Sequence, residues 1–136
     1  MACAPSNIAV DNMIERVHES NPKLKIVRIG HPARLLESVQ QFCLDALVAS
    51  QTDYGKQTNE IRKEINKLNK KVLKCKSKQE RKEIYGEYKM LRKDLKQIEQ
   101  SYINEIFQSA NVIFCTLTSA ADKTLVRYIN SPRLPD

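Results

Sequence analysis

Residues 84–102, IYGEYKMLRKDLKQIEQSY, carry apolar side chains at alternating steps of four and three. This spacing places the apolar side chains on one narrow stripe of an α-helix. A second stripe with the same spacing precedes it, and the short polar linker 74–78 separates the two. The pattern predicts an antiparallel helical hairpin from about 56 to 107 with coiled-coil-like packing. The stripe residues are Ile84, Tyr88, Leu91, Leu95, Ile98 and Tyr102, and before the linker Ile61, Ile65, Leu68 and Val72.

The predicted hairpin is strongly basic. From Lys56 to Lys96 there are fifteen Lys and Arg against six Asp and Glu, whereas the whole chain has a net charge of +7. The positive charge is therefore concentrated on one element, and the rest of the chain is slightly acidic. A charge-rich helix is often only a solvated surface, but so large an excess of one sign favours a polyanionic partner such as nucleic acid. The lysines flanking the apolar stripe, Lys67, Lys70 and Lys71, are the candidate contacts on this element.

Length and composition limit the remaining possibilities. A chain of 136 residues allows one domain with a modest core, built mainly from Ile, Leu and Val. The four cysteines have no C-x-x-C spacing and no nearby histidine, which argues against a zinc site and favours reduced intracellular thiols. The sequence contains neither a long apolar run nor an N-terminal signal, so we expect no membrane partner.

Outside the hairpin, short helices and strands are expected. Ser6 or Asn7 can cap a helix that ends near Asn21-Pro22, and 24–29 alternates apolar and basic residues like a strand with one buried side. Pro32 is suited to the first turn of a helix running to about Ser50. Residues 51–55 are expected to form a loop, 111–116 a buried parallel strand, 119–122 a turn and 127–136 a loose tail. The expected buried faces are Ile8, Met13, Ile14 and Val17 in the first helix, and Leu35, Leu36, Val39, Phe42, Cys43, Ala46 and Leu47 in the second.

Three stretches resemble conserved motifs of one family: CAPSNIAVD at 3–11, RIGHPARLLES at 28–38 and VIFCTLTSAAD at 112–122. In this order, around a basic helical insertion, they are similar to superfamily 1 helicases of the up-frameshift type. The similarity is greatest to the branch of the immunoglobulin-mu-binding protein and the DNA-polymerase-alpha-associated helicases, and it covers roughly 2–125. The resemblance implies a mainly α fold in which the helical hairpin is inserted in an incomplete RecA-like α/β domain. Its parts would be RecA-like segments at 1–55 and 108–126, the hairpin at 56–107 and the tail at 127–136.

The same resemblance implies ATP-driven movement along single-stranded DNA or RNA with 5′-to-3′ unwinding, in the nucleus or the cytoplasm. Pro5, Ser6 and Asn7 would then contact the nucleic-acid backbone, because small polar groups and free amides at a helix start suit phosphate oxygens. Thr116 and Thr118 would take the same role in a second loop. The alternative is that Ser6 and Asn7 only cap the helix. His31 and Arg34 lie in the matching segment, although a cap and a surface charge explain them almost as well.

Other parts of the family pattern are not found in this sequence. None of the three glycines fits the G-x-x-x-x-G-K-[ST] pattern of a phosphate-binding loop, and no strand ends in the Asp-Glu pair that would hold magnesium. We therefore expect no catalytic residue, metal site or cofactor in this chain, and no ATP hydrolysis by it alone. ATP and magnesium would be bound by the rest of a full-length family member. The two strands of the buried type, at 2–4 and 111–116, likewise have too few partners, so we expect the chain to be part of a larger helicase core.

A different class of function stays open at this point. The hairpin could be a free-standing interaction module that docks on a partner protein. Such a module should keep an apolar stripe after its two arms have paired, and outside the stripe only Leu73 and Tyr85 are candidates.

Overall fold

The computed structural model of the protein describes residues 1–130, apart from the side chain of Thr124. Its contacts divide the chain into two compact units: Met1–Val48 together with the chain from Ile103 onward, and Ala49–Tyr102. The first unit contains a three-stranded sheet and short helices, and the second is helical. The strands are β1 (Ala2–Ala4), β2 (Ile26–Ile29) and β3 (Val112–Thr116), and the α-helices are α1 (Asn7–Ser20), α2 (Glu37–Gln40), α3 (Leu44–Ala49), α4 (Thr52–Lys74), α5 (Lys78–Ser109) and α6 (Lys123–Asn130).

The sheet of the first unit is parallel, in the order β1-β3-β2. The strand predicted at 111–116 is confirmed, and it occupies the centre because β3 pairs with both neighbours. A cluster of apolar side chains packs on the sheet, with members from β1, α1, β2, α2 and β3. Its buried members are Ala4, Val10, Ile14, Ile26, Val39 and Phe114.

Helix α1 begins and ends as predicted, but its predicted buried face is wrong in part. Ile8 is 67% exposed, whereas Val10 and Asp11 are buried together with Ile14. Val10 and Ile14 are one turn apart, so their side chains cover the same face of the helix. Ile8 precedes Val10 by two residues, which turns it roughly to the opposite side of the helix and into solvent.

The single helix predicted from Pro32 to Ser50 is also wrong. The chain forms a 3₁₀ turn at Pro32–Arg34 and then the two short helices α2 and α3. Between them the backbone pairs with β2: the Arg28 N–H donates to the Phe42 carbonyl at 2.7 Å, and Cys43 forms a bridge with Arg28. Because residues 42 and 43 complete the edge of the sheet, they cannot also continue a helix. Leu35, Val39 and Cys43 are buried as expected, but Leu36 and Ala46 are exposed.

Two further predictions need correction in the first unit. Strand β2 does not have one solvated side, since all four of its residues are buried, including Arg28. The predicted loose tail from 127 is helical up to Asn130, because α6 covers this stretch. Leu125 at its start is fully buried, and the rings of Phe107 and Tyr128 are 5.0 Å apart. Residues 131–136 of the predicted tail lie outside the described part of the chain.

The second unit consists of α4 and most of α5, joined by residues 75–77. Leu68 of α4 and Ile84 of α5 are buried in one cluster with Cys75, against which Val72, Tyr88 and Leu91 pack. At the other end, the rings of Tyr54 and Tyr102 are 5.4 Å apart. The stripes predicted for the two arms therefore contact each other within this unit. The loop predicted at 51–55 is wrong, because α4 already begins at Thr52.

Leu91 allows a direct test of this apolar contact. Leu91→Asp places a carboxylate against the cluster around Leu68 and Ile84, so we expect it to destabilise the helical unit by about 3 kcal/mol. The loss should appear as reduced helical circular dichroism at moderate urea. Met90→Asp is the matched control. It adds the same charge one residue away, at a side chain that is 68% exposed. Equal losses of stability in the two variants would contradict the packing of Leu91 against this cluster.

Candidate nucleic-acid interface

The predicted contact residues of the first unit lie in two loops at one edge of the sheet. Ala4 and Thr116 are directly paired at the ends of β1 and β3, and the Leu117 N–H donates to the Ala4 carbonyl at 3.0 Å. Because these strands are parallel neighbours, the loops 5–7 and 117–119 leave the sheet side by side. Ligands of open parallel sheets commonly bind at this carboxyl edge.

Ser6 and α1 supply hydrogen-bond donors to this edge. The Ser6 Oγ caps the helix by accepting the Ala9 N–H at 3.2 Å, as the sequence predicted, and this acceptor role leaves its own O–H able to donate. The N–H groups of Asn7 and Ile8 lie in the first helical turn, where no intrahelical acceptor exists. Pro5, just before the cap, is exposed. Capping and phosphate contact are therefore compatible at Ser6.

The two threonines of the second loop differ in what they can offer. The Thr116 hydroxyl donates to the Ser119 Oγ at 2.9 Å and accepts the Ser119 N–H at 3.1 Å, which commits its hydrogen within the loop. The Ser119 hydroxyl, which the sequence analysis did not single out, keeps its own hydrogen. Thr118 is exposed, and its hydroxyl makes no hydrogen bond within residues 1–130. Thr118 and Ser119 are thus better placed to donate to a ligand than Thr116.

Asn7 belongs to a buried polar network that the sequence analysis missed. Arg28 is fully buried, and its Nε lies 3.0 Å from Oδ1 of the buried Asp11. A second nitrogen of the guanidinium, Nη2, donates to the Asn7 Oδ1 at 2.9 Å, and Nη1 donates to the Ile29 carbonyl. The Asp11 Oδ2 accepts the Leu36 N–H at 3.0 Å. One ion pair therefore holds α1, β2 and the segment before α2 together.

A signal for this network was present in the sequence. Asp11 follows Asn7 by one helical turn and stands beside Val10 on the face that meets the sheet, which places a carboxylate where an apolar residue is usual. The alternation of 24–29 put Arg28 among the solvated residues, since the pattern carries no information on the segment that covers the outer side of β2. A buried carboxylate requires a cationic or hydrogen-bonding partner, and Arg28 is that partner.

The remaining candidates of the first unit have local roles. The His31 Nδ1 accepts the Ala33 N–H at 3.3 Å and caps the 3₁₀ turn, as the sequence analysis allowed. Arg34 is exposed at the end of that turn. Neither side chain takes part in the Asn7–Asp11–Arg28 network.

The predicted lysines lie in the helical unit, whereas the two loops belong to the first unit. Lys67, Lys70 and Lys71 are exposed on α4 and make no ion pair among the described residues. Lys67 and Lys71 line a groove of about 450 Å³ between the two helices, which three carboxylates also line. These are Glu64, Glu87 and Asp94. The groove is thus of mixed charge, and Lys70 is the lysine of the three that lies outside it.

A pair of thiols lies beneath the two loops. Cys3 and Cys115 are partners in the register of β1 and β3, and their sulfurs are 3.4 Å apart. Burial and the hydrogen bond with Cys3 raise the pKa of Cys115 to about 11, so this thiol stays protonated at neutral pH and is a poor nucleophile. Within residues 1–130, no three His, Cys, Asp or Glu side chains gather as they would around a metal ion. No described helix combines the length and the apolar character needed to cross a membrane.

Comparison with known proteins assigns the family. Residues 1–132 match the model of the AAA domain. The chain is 44% identical over 121 residues to the DNA-binding protein SMUBP-2 of Rattus norvegicus. The aligned region covers 89% of this chain and 12% of that protein. It is 39% identical over 126 residues to the DNA polymerase alpha-associated DNA helicase A of Schizosaccharomyces pombe, covering 92% of this chain and 18% of the relative. A regulator of nonsense transcripts 1 homolog of Neurospora crassa is 32% identical over 125 residues, 92% of this chain and 10% of the relative.

A parallel sheet with polar loops at its carboxyl edge and a match across nearly its whole length show that the chain belongs to the AAA domain family. Within it, the chain is a fragment of a superfamily 1 helicase of the up-frameshift type, in the branch of SMUBP-2 and the polymerase-alpha-associated helicases. The family resemblance seen in the sequence is thus confirmed. The chain spans about an eighth of the length of the SMUBP-2 relatives and less than a fifth of the yeast helicases.

The Arg28–Asp11 pair is expected to be a main contributor to the stability of the first unit. Asp11→Ala leaves a buried guanidinium without its counter-ion and the Leu36 N–H without its acceptor, so we expect a loss of about 3–5 kcal/mol. Urea denaturation followed by circular dichroism measures this loss in the free energy of unfolding. Asn12→Ala, at the exposed neighbouring position, should change stability by less than about 0.5 kcal/mol. Equal losses in the two variants would show that the ion pair does not support the fold.

Proposed function

We propose that this chain supplies part of the nucleic-acid contact surface of an ATP-dependent helicase acting on single-stranded DNA or RNA. The observation that carries the proposal is the pairing of Ala4 with Thr116, which brings the loops 5–7 and 117–119 together at the carboxyl edge of a parallel sheet. Their donors include the Ser6 and Thr118 hydroxyls and the first N–H groups of α1, and phosphate oxygens accept such bonds. The names of the relatives, a DNA-binding protein and DNA helicases, support the same role.

In this proposal the helical unit is an antiparallel hairpin inserted in the RecA-like domain, and it provides electrostatic attraction. The contacts at both ends of α4 and α5 support the antiparallel arrangement. The excess of nine positive charges between Lys56 and Lys96 attracts a polyanion without regard to base sequence. Lys70 is the strongest of the three predicted contacts, because carboxylates in the shared groove partly neutralise Lys67 and Lys71.

ATP and magnesium are assigned to the remainder of the full-length helicase. Two of the three glycines, Gly55 and Gly86, lie inside helices, and a Cβ on Gly30 would be 3.1 Å from the Arg28 guanidinium. These observations support the inference that none of the three glycines belongs to a phosphate-binding loop. We propose no step of ATP hydrolysis for these residues, and we place the complete helicase in the nucleus or the cytoplasm.

The alternative, a hairpin that docks on a partner protein, is supported by three exposed apolar side chains. Leu73 is 87%, Tyr85 57% and Met90 68% exposed. Tyr85 follows Ile84 and Met90 precedes Leu91, so the two flank the buried stripe of α5 on opposite sides. They do not form one continuous apolar face with Leu73, which is what a helix-docking surface requires. Nucleic-acid contact is the better supported function.

Reversing the hairpin lysines tests the electrostatic part. Each phosphate neutralised by a lysine on a single strand contributes a log–log salt slope of roughly −0.7. Lys67→Glu, Lys70→Glu and Lys71→Glu together should weaken binding to oligothymidylate and make the slope less steep by about 2, in fluorescence anisotropy titrations at several salt concentrations. Helicity should be unchanged, because the three side chains are exposed.

The matched control changes the same net charge elsewhere on the chain. Arg16, Lys23 and Lys25 are exposed in the first unit and away from the two loops in sequence. Reversing these three to Glu should leave most of the salt slope intact. An identical change of slope in both triple variants would mean that only total charge matters, and an unchanged slope in the hairpin variant would mean that its basic surface is merely solvated.

A further inference from the structure

We infer that Arg28 is a positioning residue that fixes the orientation of the Asn7 amide, so that Asn7 presents its NH₂ group to a phosphate oxygen of the bound strand. The inference rests on the proposed function and specifies what Asn7 does within it. It starts from the contact between the Arg28 Nη2 and the Asn7 Oδ1, 2.9 Å long, at the carboxyl edge of the sheet.

The contact between Arg28 and Asn7 allows the Asn7 amide only one orientation. A guanidinium only donates hydrogen bonds, so the atom of Asn7 that faces it must be the carbonyl oxygen. The amide nitrogen is bonded to the same carbon and must therefore point away from Arg28. Within residues 1–130, Asn7 Nδ2 makes no hydrogen bond, and the residue is partly exposed. Both of its N–H groups are thus available to an acceptor from outside the described chain.

The guanidinium itself is held in place on its other sides. Its Nε contacts the Asp11 Oδ1, its Nη1 contacts the Ile29 carbonyl, and its side chain is fully buried. A residue fixed by two elements of the fold can orient a third group without moving when a ligand binds. The Asn7 amide is consequently ordered before binding, and little conformational entropy is lost when it donates to a phosphate.

The position of Asn7 fits this role. It follows the Ser6 cap and begins α1, so it lies in the first helical turn with its free N–H groups, at the edge of the sheet from which the segment 117–119 also leaves. A neutral amide donor matches an anionic oxygen, whereas an amide rotated by half a turn would present its carbonyl and repel that oxygen. Arg28 therefore determines whether Asn7 presents a hydrogen-bond donor or an acceptor at this edge.

Asn7→Asp separates this role from a purely structural one. The aspartate keeps an oxygen acceptor for Arg28, so its stability in urea should equal or exceed that of the wild type, but it has no N–H to donate. Binding to oligothymidylate should weaken at least tenfold. Asn7→Ala removes both the acceptor and the donor, and it should lose stability as well as binding. If Asn7 serves only to satisfy Arg28, Asn7→Asp will lose no more binding than an added carboxylate at a neighbouring position causes, and the inference fails.

Charge alone is controlled by Ile8→Asp, which adds a carboxylate at the neighbouring, 67% exposed position and leaves the Asn7 amide unchanged. We expect a smaller loss of binding than for Asn7→Asp. Equal losses would attribute the effect to repulsion and overturn the inference.

The positioning by Arg28 is tested by a double-mutant cycle. Lys at position 28 keeps the charge opposite Asp11 but lacks the fork that reaches two acceptors at once. Arg28→Lys should weaken binding several-fold when Asn7 is present and have little further effect on Asn7→Ala. Fully additive losses would contradict the positioning role. Because Arg28→Lys also perturbs the core, the stability-neutral Asn7→Asp variant remains an independent test.

The NH₂ signals of Asn7 give a readout that a structural role would not change. They are identified in the ¹H–¹⁵N spectrum by their absence from Asn7→Asp, and they should shift when oligothymidylate is added. Failure of the wild-type chain to bind oligothymidylate at low salt would overturn the proposed function and this inference together. Binding that depends on the hairpin lysines but leaves the Asn7 signals unmoved would overturn the inference alone.

Discussion

The ion pair between Arg28 and Asp11 is the contact on which the first unit depends. Moving two charges out of water is expensive, and the cost is recovered only when nearly every donor and acceptor finds a partner. Here Nε, Nη1 and Nη2 of Arg28 all donate, and both oxygens of Asp11 accept. The partners come from α1, from β2 and from the segment before α2. The pair therefore specifies one arrangement of these elements, which apolar packing on a three-stranded sheet would define less strictly.

This requirement explains the sequence between β2 and α3. The same stretch must supply the Leu36 N–H to Asp11, bury Leu35 and Val39, and pair residues 42 and 43 with Arg28 along the outer edge of β2. A continuous helix could not do all three, since its backbone groups would be used internally. The broken helix is thus a consequence of the edge pairing and the buried charge together. The exposure of the Leu36 side chain has a related cause, because the hydrogen bond from the Leu36 N–H to Asp11 fixes the backbone at this residue.

The parts of the fold that follow from local periodicity could be predicted from the sequence. The two helices of the second unit, the capped helix α1 and the buried strand β3 each repeat a pattern within their own residues. The errors occurred where a distant segment decides the environment. Burial of Arg28, the interruption at 42 and 43, and the helix at 123–130 all depend on partners far away in sequence. For the candidate site, motif resemblance located the loops, but only the geometry shows which atoms remain free to donate.

In the proposed function, the two units would divide the physical requirements of binding a nucleic acid. Outside the segment Lys56–Lys96 the chain has a slightly negative net charge, so long-range attraction of a polyanion would come from that segment. What the loop edge of the sheet offers is a set of neutral donors whose acceptor atoms are already occupied: the Ser6 Oγ by Ala9, and the Asn7 Oδ1 by Arg28. Neutral, oriented donors fix the register of a phosphate backbone, whereas a lysine-rich helix raises its local concentration without fixing its position. The helicase proposed above would release and rebind its strand repeatedly, and weak directional contacts at the sheet would allow this more readily than strong ion pairs at the same place.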